Sequence, residues 1–172
     1  MAVPAWATVV LSLSIEELTV RAPLVVRGTV HRVTPQLDDG RGQIWTYSEI
    51  GVSEVVKGPR RTTVLVKQPG GQVGRFGQHV AGAATFVPSE DVVLFLEPAV
   101  DEPDTFVLTS MSAAKVSLAT FRGERVARRN LAGLSFVRPG QKGVIQPVDD
   151  FEVLGTAEAF LNRIRMAAGG SR

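Results

Sequence analysis

Two stretches with the pattern of β-strands dominate the first third of the chain. Residues 24–34, L-V-V-R-G-T-V-H-R-V-T, are dense in β-branched side chains and read as a strand. Further on, Ile44, Thr46, Ser48, Ile50, Val52, Glu54 and Val56 alternate with Trp45, Tyr47, Glu49, Gly51, Ser53 and Val55, the two-residue period of a second strand. Between them, residues 35–42 contain Asp38-Asp39-Gly40, which reads as a turn, so the pair is expected to form a hairpin. Gly28, inside the first strand, predicts a bulge or bend of the kind found where a sheet coils on itself. Further strands are expected at 62–67, 91–96 and 105–109, with a short β-like run at 9–13 and a second hairpin from 115–119 and 125–128. The run D-V-V-L-F-L at 91–96 is so apolar that both of its faces are expected to be buried.

Helical periodicity is confined to the two flanks. Ser14-Ile15-Glu16-Glu17 fits a capping box, in which Ser14 accepts from the third helical amide and Glu17 reaches back to the cap. Ile15, Leu18 and Ala22 form one apolar stripe, and Pro23 ends it. Thr156 caps a second helix with Ala157, Phe160, Leu161, Ile164 and Ala168 on one face and Gly169-Gly170 as its stop. A short helix, five to seven strands and a closing helix, without strand–helix alternation, argue against a parallel βαβ sheet. They predict a mainly β domain over 8–168, built as a small antiparallel barrel, with 1–7 and 169–172 lying outside it.

Composition bounds the rest. The 172 residues are enough to bury roughly 70% of the unfolded surface. With 44% hydrophobic and 21% charged residues, the chain has the make-up of a globular protein. No apolar run approaches the ~18 residues of a membrane-spanning helix. The net charge of +2 does not by itself call for nucleic acid or an anionic membrane. Its distribution is uneven: residues 121–143 carry Arg122, Arg125, Arg128, Arg129, Arg138 and Lys142 against Glu124 alone, either a solvated edge or a basic face. The absence of cysteine removes disulfides, thiolate metal sites and cysteine nucleophiles together. Ala5-Trp6-Ala7, in the opening M-A-V-P-A-W-A, has the small-x-small form of a signal-peptide end. Export is therefore expected, with a native frayed terminus as the alternative.

The candidate chemistry is sparse. His31 and His79 are the only histidines, and neither stands at metal-ligand spacing from a partner. Gly133-Leu134-Ser135 falls short of a nucleophile elbow because Val137 replaces the second glycine. The acidic pairs at 38–39, 101–102 and 149–150 sit beside glycine or proline and read as solvated turn formers. No catalytic residue, metal or cofactor is expected. Residues 69–82 read as a long glycine-rich loop with Gly71, Gly74 and Gly77 at G-x-x-G-x-x-G spacing, lacking the lysine–hydroxyl pair of a phosphate loop. Either its glycines merely supply positive φ angles, or it binds a partner through Gly70, Gly71, Gly74, Arg75, Phe76 and His79. A separate face for nucleic acid or glycan would combine Trp45 and Tyr47, on one side of a strand, with Arg125, Arg128 and Arg129. The plainer reading of that aromatic pair is cross-strand packing.

Several of these segments together carry a resemblance. A-P-L-V-V-R-G-T-V at 22–30 is followed by Y-S-E-I-G-V-S-E-V-V-K-G at 47–58, V-L-V at 64–66 and D-V-V-L-F-L at 91–96. Over residues 14–98 the chain resembles a group of exported proteins from myxobacteria and related bacteria. More remotely, it is similar to netrin-like domains, which include the tissue inhibitors of metalloproteinases. The resemblance implies an OB-like five-stranded barrel with flanking helices. In the inhibitors an N-terminal cysteine chelates the protease zinc and disulfides pin the barrel, and this chain has no cysteine to do either. The expectation is a non-enzymatic exported domain that binds another protein, with a cysteine-free protease inhibitor and an OB-type nucleic-acid or glycan binder as alternatives.

Overall fold

The structure, a computed structural model, describes residues 7–38 and 40–170. The expected signal remnant at 1–7 therefore lies, apart from Ala7, outside the described residues, as do Asp39 of the first turn and the last two positions of the tail. The first apolar run forms β1 (Thr8–Leu11). In α1 (Ile15–Arg21) the capping box forms as read: Glu17 N donates to Ser14 Oγ (3.1 Å) and Ser14 N donates to Glu17 Oε2 (2.7 Å). The two long runs become β2 (Leu24–Asp38) and β3 (Gln43–Lys57), an antiparallel hairpin. The turn is tighter than 35–42, because β2 continues through Pro35 to Asp38. Past Thr29, β2 pairs only with β3, so Pro35 stands where a missing N–H is tolerated. The register slips between Arg27 and Gly28, at the glycine expected to bend the strand.

Then follow β4 (Thr63–Pro69), β5 (Gly71–Val73), β6 (Phe76–Gln78), β7 (Asp91–Pro98) and β8 (Thr105–Leu108). After a 3-10 turn at Met111–Ala114 come β9 (Lys115–Phe121), β10 (Glu124–Asn130), β11 (Leu134–Val137), β12 (Phe151–Thr156) and α2 (Ala157–Gly169). Among the described residues twelve strands thus stand where five to seven were expected. The additional ones have no period to betray them: β5 and β6 are glycine-rich, while β12 turns Phe151 and Val153 outward, 52% and 56% exposed.

Eight strands form one sheet in the order β12-β10-β9-β7-β2-β3-β4-β8. β8 runs parallel to β4 (Leu65↔Thr105, Val66↔Phe106) and antiparallel to β7 (Leu96↔Leu108). That closes a ring of five strands, β7-β2-β3-β4-β8. β7 makes the closure by dividing its second edge. Val92, Val93 and Leu94 pair with β9, then Leu96, Glu97 and Pro98 pair with β8, and between them the Phe95 carbonyl accepts from Thr109 N (3.1 Å). Val92–Leu96 are all fully buried within the core cluster, as their unbroken apolarity predicted.

Phe95, Leu94, Ile50, Val26 and Val30 fill the core, and both helices close over it. α2 buries Ala157, Phe160, Leu161 and Ile164 and is capped by Thr156, whose Oγ1 accepts from Ala159 N (3.2 Å). Its polar side reaches two distant elements. Arg165 forks onto Glu54 of β3 (2.8 Å to each carboxylate oxygen), and Arg163 donates to Glu16 of α1 (2.9 Å). β1 pairs in parallel with β11 (Thr8↔Leu134 to Leu11↔Val137), so the N-terminal elements rest on segments from late in the chain.

Candidate functional site

The glycine-rich segment is an ordered hairpin rather than a long loop. Val73 pairs with Phe76, leaving Gly74-Arg75 as a two-residue turn. Gly74 has φ +56°, and a glycine at the first turn position is what this tight connection favours. The base of the hairpin is stitched to β3. Gly70 N donates to Ile44 O (2.8 Å), Thr46 Oγ1 donates to Gly70 O (2.6 Å), and Ile44 N donates to Gln78 Oε1 (2.7 Å). Gly71 (φ +136°) lies so close to β3 that a Cβ there would sit 2.4 Å from Thr46 Oγ1. Gly70 and Gly71 thus serve backbone approach, while Arg75, Phe76 and His79 carry exposed side chains, Phe76 at 66%. Beside the hairpin lies a cleft of about 540 Å³, bordered by Gln68, Gly77, His79, Val80 and Phe86. Gln68 is only 5% exposed, and its Oε1 has no hydrogen-bond partner. A buried acceptor left unpaired costs about 1–3 kcal/mol.

Trp45 and Tyr47 do stand close together, but their face is occupied from within. Lys67, 6% exposed, holds its ammonium 4.4 Å from the Trp45 ring centre and bonds Asp101 (2.7 Å) and Glu102 (3.2 Å). Tyr47 donates its hydroxyl to Glu102 (2.9 Å). Burial opposes the Lys67 charge, yet the bonds to Asp101 and Glu102 outweigh it and raise its pKa above the ordinary lysine value. Burial, and then the bond to Glu102, push the Tyr47 pKa up. The acidic pair sits in a turn with Asp101 59% exposed, as read, and in addition both carboxylates bond Lys67 beside the aromatic pair. Arg125, Arg128 and Arg129 lie on β10, separated from β3 by three strands in the sheet order. Arg125 bonds Asp91, which also takes Arg27 (2.8 Å), and Arg129 bonds Glu152 (2.6 Å). The aromatic and basic halves of the nucleic-acid or glycan face are therefore not brought together.

One polar cluster has no counterpart in the sequence reading. Backbone bonds to β2 (Ser89 N to Val30 O, 2.8 Å; Val30 N to Glu90 O, 2.9 Å) set Glu90 above β9. There Lys115, 9% exposed, donates to Glu90 (2.7 Å) and to Thr85 O (2.7 Å), and Ser117 donates to the same Glu90 oxygen (2.5 Å). Burial pushes the Lys115 pKa below the ordinary lysine range, with Glu90 opposing the shift. The only sequence signal was a lysine and a serine two apart on a predicted strand; Glu90, 25 positions earlier than Lys115, reaches them through the β7–β9 pairing.

Among the described residues, no cluster of three or more histidine, cysteine or carboxylate side chains could hold a metal ion, and no helix is long and apolar enough to cross a membrane. No family model matches the chain, and no curated protein matches it either.

Proposed function

We propose that this protein is a non-enzymatic, exported binding domain that engages another protein through the β5–β6 hairpin. The observation that carries the reading is Phe76, a large apolar side chain 66% exposed at the start of β6, next to the two-residue turn of a hairpin whose base is hydrogen-bonded to β3. An exposed aromatic on a preorganised mount is the usual form of an interface anchor, because little further ordering is needed on binding. The adjoining cleft adds the unpartnered Gln68 Oε1, an acceptor suited to a donor from the incoming chain. The five-stranded ring, with its parallel β4–β8 pair, supports an OB-like reading of the scaffold and with it the netrin-like resemblance. Export rests on that resemblance and is tested by fractionating the source cells.

The test compares capture from envelope and secreted fractions by immobilised wild type and Phe76→Ala. A partner retained by the wild type is expected to lose about tenfold or more in affinity for the variant. The variant's Tm should stay close to that of the wild type, because exposed side chains contribute little to stability. Equal retention by both proteins would refute the hairpin as the contact surface.

A further inference from the structure

Beneath Glu90 lies a second cleft, of about 280 Å³, whose floor is the Lys115–Ser117 face of β9 and whose wall is β10. Two donors on its lining are unspent. Ser112, 3% exposed, has a buried Oγ with no hydrogen-bond partner. Arg128, half-buried, stacks its guanidinium 4.3 Å from the Phe151 ring centre and has neither hydrogen bond nor ion pair among the described residues. Cross-strand pairing of Arg128 with Ser117 sets that guanidinium beside the polar floor. The charged side chains lining the cleft are Lys115, Arg128 and Arg129 against Glu90 alone, with Glu152 outside the lining and bonded to Arg129. Phe151, Ala84 and Ala119 complete the walls with apolar surface.

We infer that this cleft binds a small organic monocarboxylate, its head on Arg128 and Ser112 and its apolar body against Phe151. A planar guanidinium fork matches a carboxylate, and a neighbouring hydroxyl adds a third donor. Phe151, Ala84 and Ala119 give an organic body apolar surface to cover, which inorganic phosphate cannot use, and this separates the two anions. The volume lies just below the usual range of small-molecule sites, so the ligand is compact. This site uses no residue of the β5–β6 hairpin itself, although its cleft shares Ala84 and Thr85 with the cleft beside the hairpin.

Benzoate is the probe, with benzamide as its uncharged counterpart and inorganic phosphate as the competing anion. Each is titrated into the full chain at low salt by calorimetry, with Tm followed in parallel. Benzoate is expected to bind saturably and raise Tm, whereas benzamide and phosphate do neither. Arg128→Gln should weaken benzoate about tenfold or more, the value of a charge-assisted pair, and Arg128→Lys should recover only part of that. Ser112→Ala carries a signature that a merely structural serine lacks. Removing an unpaired buried hydroxyl should raise the Tm of the free protein while weakening benzoate several-fold. The inference is overturned if benzoate does not saturate, if benzamide or phosphate binds as well, or if Arg128→Gln leaves the benzoate Kd unchanged.

Discussion

Gly28 and Gly51 lie diagonally across the bent part of the β2–β3 hairpin, Gly28 opposite Val52 and Gly51 opposite Thr29, and replacing each by alanine should give opposite results. Neither glycine has a positive φ, so the backbone conformation itself admits alanine at both. By distance alone the substitutions look equally forbidden. A Cβ on Gly28 would lie 2.3 Å from Gly51 O and 2.8 Å from Ile50 Cγ2, and one on Gly51 would lie 2.2 Å from His31 Cε1 and 2.3 Å from Nε2. What differs is the freedom of the obstacle. Gly51 O belongs to a strand paired on both sides and can yield only if the hairpin shifts by about 1 Å to restore an ordinary carbon–oxygen contact. The His31 ring is an exposed side chain that can turn away. Overpacking against fixed neighbours costs about 1–3 kcal/mol and sometimes more, so Gly28→Ala should lose about 3 kcal/mol. Gly51→Ala relieves a glycine of unfolded-state entropy worth about 0.4–1 kcal/mol and should stay within about 1 kcal/mol of wild type. For a chain of this size the first change corresponds to a fall of about 6–12 °C in Tm. Urea unfolding followed by circular dichroism gives both values with wild type alongside. The reasoning fails if Gly28→Ala is as stable as wild type, or if Gly51→Ala loses as much as Gly28→Ala.

Two further outcomes concern α2. Phe160 is fully buried, so Phe160→Ala should cost about 3–5 kcal/mol by loss of burial and by the cavity left behind, read as a lowered urea midpoint with an unchanged slope. Glu54 and Glu16 are both held below their ordinary pKa of 4.5, each chiefly by the hydrogen bond from its arginine, Arg165 and Arg163. A carboxylate whose pKa is depressed on folding contributes stability that is present above the unfolded value and lost as pH falls through the folded one. Stability should therefore decline below about pH 4.5. Glu54→Gln should reduce that decline by no more than about 1 kcal/mol, since both partners are partly solvated; an unchanged acid limb in the variant would count against the pairing.

What was legible in the sequence was whatever a local rule dictates. The capping box at Ser14, the stop at Pro23, the β2–β3 hairpin, the bend at Gly28 and the double burial of Val92–Leu96 all follow from spacing within a few residues, and all appear. What was not legible depends on which strand lies next to which. The closure through β8 rests on two residue pairs with β4 and three with β7, too few to impose a period on the sequence. The Lys67 cover over Trp45 requires a turn 34 positions away to fold back, so the bonds of Asp101 and Glu102 to Lys67 leave no mark on the sequence around them. The hairpin at 71–78 was hidden for another reason: glycine carries no pattern, and its strands are three residues each.

The way α1 and β1 rest on late elements sets a schedule for the protein as it is made. Glu16 leaves the ribosome 147 positions ahead of Arg163, an interval of about 7–30 s at ordinary rates of synthesis. Throughout it Ile15 and Leu18 lack α2, and the backbone of β1 lacks its partner β11. The ring from β2 to β8 needs none of those later segments and can assemble first around β7. The N-terminal elements are then laid down last, although they were synthesised first. Until then Ile15 and Leu18, buried in the finished fold, stay open to any chaperone near the nascent chain.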